Sequence, residues 1–181
     1  MLSKIAALPL FPLLISSLPA ACAAPAEPSS CGSLHPKWTL SAIDLSSYYT
    51  YTSPSASGPK LGSISFTFAN SDVSYTAACK GNSVNPLGTF YSSQTFDCET
   101  EDGATWKKTS FSYDTASKIV VVNSTWTCNG GDVLYSTSGE GKAELECETD
   151  TWTNPEWEAG SGELYSNTTT TCEEGSLVIQ I

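Results

Sequence analysis

Arginine is missing from this chain altogether, histidine occurs once, and the only methionine is the first residue. Eight lysines stand against 19 acidic residues, for a formal charge of −11 at pH 7. Without arginine or a basic patch, nucleic-acid binding has no electrostatic footing. An anionic membrane surface would repel such a chain. The lone His35, beside Pro36, leaves no histidine-based triad. No C-x-x-C pair or clustered histidine offers zinc ligands, and no glycine-rich phosphate loop implies a cofactor. The expectation is a protein with no cofactor, no bound metal, no nucleic-acid partner and no membrane partner. Helical periodicity is also absent from every window of useful length.

The N-terminus carries a different kind of signal. Lys4 precedes an apolar run, Ile5 to Leu18, interrupted by Pro9 and Pro12. Ala21-Cys22-Ala23 then supplies the small residues that a signal peptidase reads. The run falls short of the roughly 20 residues a spanning helix needs. Residues 1–23 therefore read as a secretory signal, 24–36 as a disordered leader and 37–181 as one domain. Ser176–Ile181 is too short for a lipid-anchor signal, which needs a tail of about 10–20 apolar residues. The mature protein is expected to be soluble, secreted and extracellular.

Loss of Cys22 with the signal leaves Cys31, Cys79, Cys98, Cys128, Cys147 and Cys172. In a secreted chain such cysteines are staples rather than nucleophiles. Six of them allow 15 pairings. Cys79 and Cys98 flank a loop marked by Gly81, Asn85, Pro86 and Gly88, and Cys147 and Cys172 bracket the loop Trp152–Gly162. Cys31 and Cys128 remain. These positions do not fix the pairs.

Alternation with a period of two dominates the rest. Ile64, Phe66 and Phe68 alternate with Ser63, Ser65 and Thr67, and similar runs give strands at Trp38–Tyr48, Ser63–Ala69, Val73–Cys79, Thr89–Cys98, Trp106–Tyr113, Lys118–Cys128, Val133–Thr137, Lys142–Glu148, Glu163–Thr170 and Leu177–Ile181. Turn residues separate them at Asn70-Ser71, Asp102-Gly103, Asp114–Ser117, Asn129–Gly131 and Gly139–Gly141, and Ser53–Pro59 reads as a surface loop. Ile119–Val122, apolar on both faces, suits a central strand. The fold expected is all-β: a single antiparallel β-barrel or sandwich stapled by disulfides. Two sequons, at Asn123 and Asn167, fall in strands, so a glycan there requires a solvent-facing side chain.

The order of these features resembles the Alternaria major allergen family, the "Alt a one"-like secreted proteins of filamentous fungi. The features are Cys31 before Trp38, the alternating "ISFTFANSDVSYTAAC", Cys98, "FSYD" at Phe111–Asp114 leading to "KIVVV", and a late cysteine pair. The similarity covers nearly the whole mature chain but includes no catalytic signature. It implies a compact antiparallel β-barrel with Cys79–Cys98 and Cys147–Cys172 as its internal disulfides. It also implies a non-enzymatic fungal effector or allergen-like virulence factor, placed in the fungal cell wall or plant apoplast, that binds host defence proteins or a small ligand. Family members can bridge two subunits through the N-terminal cysteine. Here Cys128 offers Cys31 a partner, so Cys31–Cys128 is the third expected pair and monomer or dimer stays open. Alternation places Cys79, Cys98 and Cys147 on inward faces.

Two stretches carry candidate binding residues. "KAELECETD" sets Glu144, Glu146, Glu148 and Asp150 on one strand face, opposite Leu145 and Cys147. Carboxylates about 5–9 Å apart serve glycosidases, and i, i+2 neighbours fall in that range. Acid catalysis needs a partly apolar pocket as well, and a face of carboxylates is more often simply solvated. Weak calcium binding is a further use of the same oxygens. "DTWTNPEWEAGSG" sets Trp152 and Trp157 in a loop, where tryptophan can stack on a sugar or anchor a protein partner; equally, one can fold back over the core. Trp38, Trp106 and Trp126 suit the core or barrel ends. The alternative to an effector is a carbohydrate-binding or cell-wall glycan-active protein.

Overall fold

The computed structural model describes residues 35–84, 90, 93–100, 108–128 and 133–181; of Cys128 it describes the backbone. The secretory signal, the leader through residue 34, Cys31, Trp106 and the Cys31–Cys128 pair lie outside the described residues. The described residues form ten strands and no helix: β1 (Lys37–Ser53), β2 (Ala56–Asn70), β3 (Thr76–Ser83), β4 (Phe96–Thr100), β5 (Lys108–Asp114), β6 (Ile119–Cys128), β7 (Val133–Lys142), β8 (Cys147–Thr153), β9 (Ser166–Cys172) and β10 (Gly175–Gln180). All pairings are antiparallel, in the order β7-β6-β5-β4-β3-β2-β1-β9-β8, with β10 also on β1. No helix among these residues is long and apolar enough to cross a membrane.

The alternating residues do what their period requires. Ile64, Phe66 and Phe68 of β2 are buried and pack with Trp38, Leu40, Ile43, Phe111, Val120, Val122 and Trp126. Phe66 meets Phe111 edge-on at 4.7 Å between ring centroids, and Trp38 meets Phe68 at 5.3 Å. Burial raises the Tyr113 hydroxyl above its ordinary pKa, with Asp114 adding to the effect. The sheet curls around this core until β7 packs against β10, giving a half-barrel.

Gly139–Gly141 is therefore no turn. Both glycines lie inside β7, because a Cβ at Gly139 would run into Ile181 and stand 2.9 Å from Ile179 Cγ2. Glycine is present there for close approach, which a sequence cannot distinguish from a turn. Ser53–Pro59 is not a long loop either: β2 begins at Ala56, leaving Pro54-Ser55 as a two-residue hairpin link. Thr50 and Thr52 donate to the carbonyls of Pro59 and Ala56, so polar residues sustain a strand that lacks apolar alternation. β3 starts at Thr76 rather than Val73, since Asn70 Oδ1 accepts from the Asp72 amide and holds a turn. Only Phe90 of the stretch Thr89–Phe90 is described; it is buried, and β4 starts at Phe96. Central placement of Ile119–Val122 is seen: β6 has a neighbour on each side.

β1 is the element that positions everything else. Its first part pairs with β10 and its second part, Ser46–Tyr51, with β9. Between them the register slips by one residue, at Ala42, whose φ is 51°. Such a bulge bends and twists a strand. The result is a half-barrel built on one half of β1 and an extension, β2-β1-β9-β8, built on the other.

Candidate binding surface

The extension gathers most of the residues singled out in the sequence. Register fixes which side chains are neighbours. Glu148 lies opposite Thr171, Asp150 opposite Thr169 and Trp152 opposite Asn167, and the next strand over carries Ser46, Tyr48 and Thr50 in the same three rows. These share the outer face of the sheet, but Thr50 is buried, its hydroxyl donated to the Pro59 carbonyl. Trp152 is 50% exposed and Tyr48 39%. Glu146, Glu148, Thr171 and Glu173 line a cleft of about 440 Å³ at the end of this face. A shallower hollow continues over Asp150 and Thr169, and another joins Ser46, Tyr48, Leu61 and Ser63 to Thr169. No lysine lies on β8, on β9 or between them.

Of the four carboxylates that the alternation sets on one strand face, Glu148 and Asp150 share the outer face of β8, whereas Glu144 and Glu146 precede the strand. Residues 143–146 form an irregular link, and β8 begins at Cys147. Glu144 accepts a 2.7 Å ion pair from Lys142. That hydrogen bond, followed by the charge of Lys142, holds its carboxyl below the usual glutamate range. Glu146, Glu148 and Asp150 are all exposed. Among the described residues, no three histidine, cysteine or acidic side chains are grouped to hold a metal ion.

Both expected disulfides of the described chain are present, Cys79–Cys98 and Cys147–Cys172. Each joins residues directly opposite on neighbouring strands. Cys79 is buried in the core and Cys98 packs against it, as their period implies. Cys147 shares the inner face with Cys172, opposite Glu148, as its period implies, yet it is exposed there while Cys172 is buried. The reason is position in the sheet, since β8 is the last strand among the described residues.

The two tryptophans have separated. Trp152 is in β8, not in a loop. Trp157 is in the loop after it, half-buried, donating its indole N–H to the Thr52 carbonyl at 3.1 Å and meeting Tyr165 edge-on at 5.5 Å. That loop is turned by Gly160 and Gly162, both at positive φ, and tied by Asn154 to Glu163. Trp157 thus holds the loop to the β1–β2 hairpin, whereas Trp152 faces solvent. Trp38 and Trp126 are buried, and their indole nitrogens have no partner among the described residues. His35 does have a partner, bonding the Ile181 carbonyl through Nδ1.

Of the sequons, Asn123 is exposed on β6. Asn167 is half-buried: its Oδ1 is enclosed without a partner and its Nδ2 donates to Thr169 at 3.3 Å. The sequence reading missed Tyr48, Thr169, Thr171 and Ser46. The run "SSYYTYT" shows aromatic residues on both faces of one strand, which signals an uncovered face but not its neighbours. Comparison with known proteins finds no family model, no curated protein and no solved structure that matches this chain.

Proposed function

We propose that this chain is a secreted, non-enzymatic protein of the effector type that the Alternaria allergen resemblance implies, and that it binds an extracellular host protein through the outer face of β8–β9. The observation that carries this reading is the grouping of exposed Trp152 and Tyr48 with Glu148, Asp150 and the hydroxyls of Thr169 and Thr171. An aromatic anchor within a polar, hydrogen-bonding surround is the usual composition of a protein-binding patch. The hollows on this face are flanks of a sheet rather than an enclosing cavity, which suits a protein surface better than a small ligand. Two disulfides are consistent with an extracellular protein.

A second reading has its own support. The same aromatic rings and hydroxyls are what a polysaccharide chain would stack and hydrogen-bond on, which favours a glycan-binding protein. The experiment is capture from plant cell-wall fluid beside a glycan array, with wild type and a Tyr48→Ala/Trp152→Ala double variant. The expected result is a captured protein that the variant loses and a silent array. Array binding abolished by the variant would replace the first reading with the second. Hydrolysis of a cell-wall polysaccharide, lost in Glu146→Gln, would make the protein an enzyme.

A further inference from the structure

We infer that the free edge of β8 is a docking strand for an extended, lysine- or arginine-bearing segment of a partner protein, added in antiparallel fashion to the sheet. The inference rests on the protein-binding reading above and states how the partner is held.

The hydrogen-bond phase of β8 sets the geometry. The Glu173 amide donates to the Glu146 carbonyl at one end, and the Asn154 amide donates to the Tyr165 carbonyl at the other. In an antiparallel pair, residues that exchange backbone bonds alternate with residues that do not. Counting inward by twos from both ends, Glu148, Asp150 and Trp152 bond to β9. Cys147, Thr149, Thr151 and Thr153 do not. The 3.9 Å Cα separation of Cys147 and Cys172 agrees, being that of a close, non-bonded pair. The amides and carbonyls of those four residues therefore point away from β9, to the open edge. Among the described residues nothing pairs with that edge, and all seven residues of β8 are exposed.

An exposed edge with a row of unpaired groups is a template for another strand. The occupant follows from charge. An added strand places alternate side chains opposite Glu148, Asp150 and Trp152 on the outer face, and the others opposite Thr149 and Thr151. Two carboxylates, with Glu146 and Glu173 beside them and no lysine on β8 or β9, call for cations at the first two places. Trp152 takes an aromatic or a further cation. The threonines, already bonded to Thr170 and Thr168 at 3.0 Å, favour β-branched neighbours. A second copy of this chain fits poorly, because antiparallel β8–β8 pairing sets carboxylates against carboxylates.

The test uses the full secreted chain and the capped peptide Thr-Tyr-Val-Lys-Val-Lys-Thr. A second peptide is N-methylated at both valines, keeping every side chain and charge while removing the donors aimed at the edge. The first peptide should slow hydrogen exchange at the Thr149 and Thr151 amides, and the second should bind more weakly by about tenfold or more. Thr151→Pro should abolish binding while leaving the fold intact, since its amide points to solvent and edge strands tolerate proline there. Glu148→Lys/Asp150→Lys, which keeps the backbone edge, should abolish it through charge alone. Equal binding of both peptides, or unchanged exchange at Thr149 and Thr151, overturns the inference. If that binding is still lost in Trp152→Ala, the face binds protein by side chains and the proposed function stands without strand addition. A dimer in light scattering that Thr151→Pro dissolves would name a second copy as occupant and likewise overturn it.

Discussion

Ala42 sits at φ 51°, in the left-handed region, at the point where β1 passes from the barrel to the extension. A side chain there costs about 1–2 kcal/mol, and glycine would relieve it while losing about 0.4–1 kcal/mol through the more flexible unfolded chain. Ala42→Gly should therefore stabilise the protein by about 0.5 kcal/mol in a urea titration, against the usual destabilising effect of glycine in a strand. Glu144 tells a different story. Its folded pKa lies below the ordinary 4.5 because Lys142 donates to its carboxylate. The stability it contributes is thus present above the unfolded pKa and fades as pH falls through the folded one. The gap between wild type and Glu144→Gln should narrow as pH falls below 4.5. A carboxyl titration by NMR should give Glu144 a midpoint below 4.5.

The two disulfides lock strands of very different standing. Cys79–Cys98 ties β3 to β4 in the core, across 19 residues. Replacing both with serine should lower global stability by about 3 kcal/mol, the chain-entropy value for a loop of that size. Cys147–Cys172 ties β8 to β9, the only strand among the described residues with which β8 pairs. Its removal should appear instead as local opening. Hydrogen exchange should quicken at the Glu148, Asp150 and Trp152 amides, which bond to β9, with the amides of β5 and β6 unchanged. Equal quickening throughout would mean that the extension and the barrel unfold as one.

The half-barrel closes where glycine lets β7 meet β10. Gly139 stands 3.2 Å from Trp38 Cζ3 by its would-be Cβ, and Gly141 stands 3.0 Å from Leu177 Cδ2 in the same sense. Gly139→Val should destabilise the fold by about 2 kcal/mol through overpacking, read from its urea midpoint with an unchanged slope. An isolated change at the exposed Val133 of the same strand should be near neutral.

Alternating residues such as Ile64, Phe66 and Phe68 determine the β class and their own inward direction from sequence alone. They do so because a buried face demands a period of two whatever the strand order. The cysteine bracketing of two loops, joined to the family resemblance, anticipated both described disulfides. What alternation cannot carry is which strand ends the sheet, for an edge is defined by the absence of a neighbour that may come from anywhere in the chain. Cys147 takes the inner face its period implies and is exposed there because it lies on the last strand, and Trp152 and Trp157, five residues apart, part into a solvent-facing ring and a loop anchor. Gly139 reads as a turn because its true partners, Ile179 and Ile181, lie some forty residues away. The binding surface belongs wholly to this second kind of information: Tyr48, Asp150 and Thr169 share a row only because β9 pairs between β1 and β8, and the open edge exists only because no strand of the described residues pairs beyond β8.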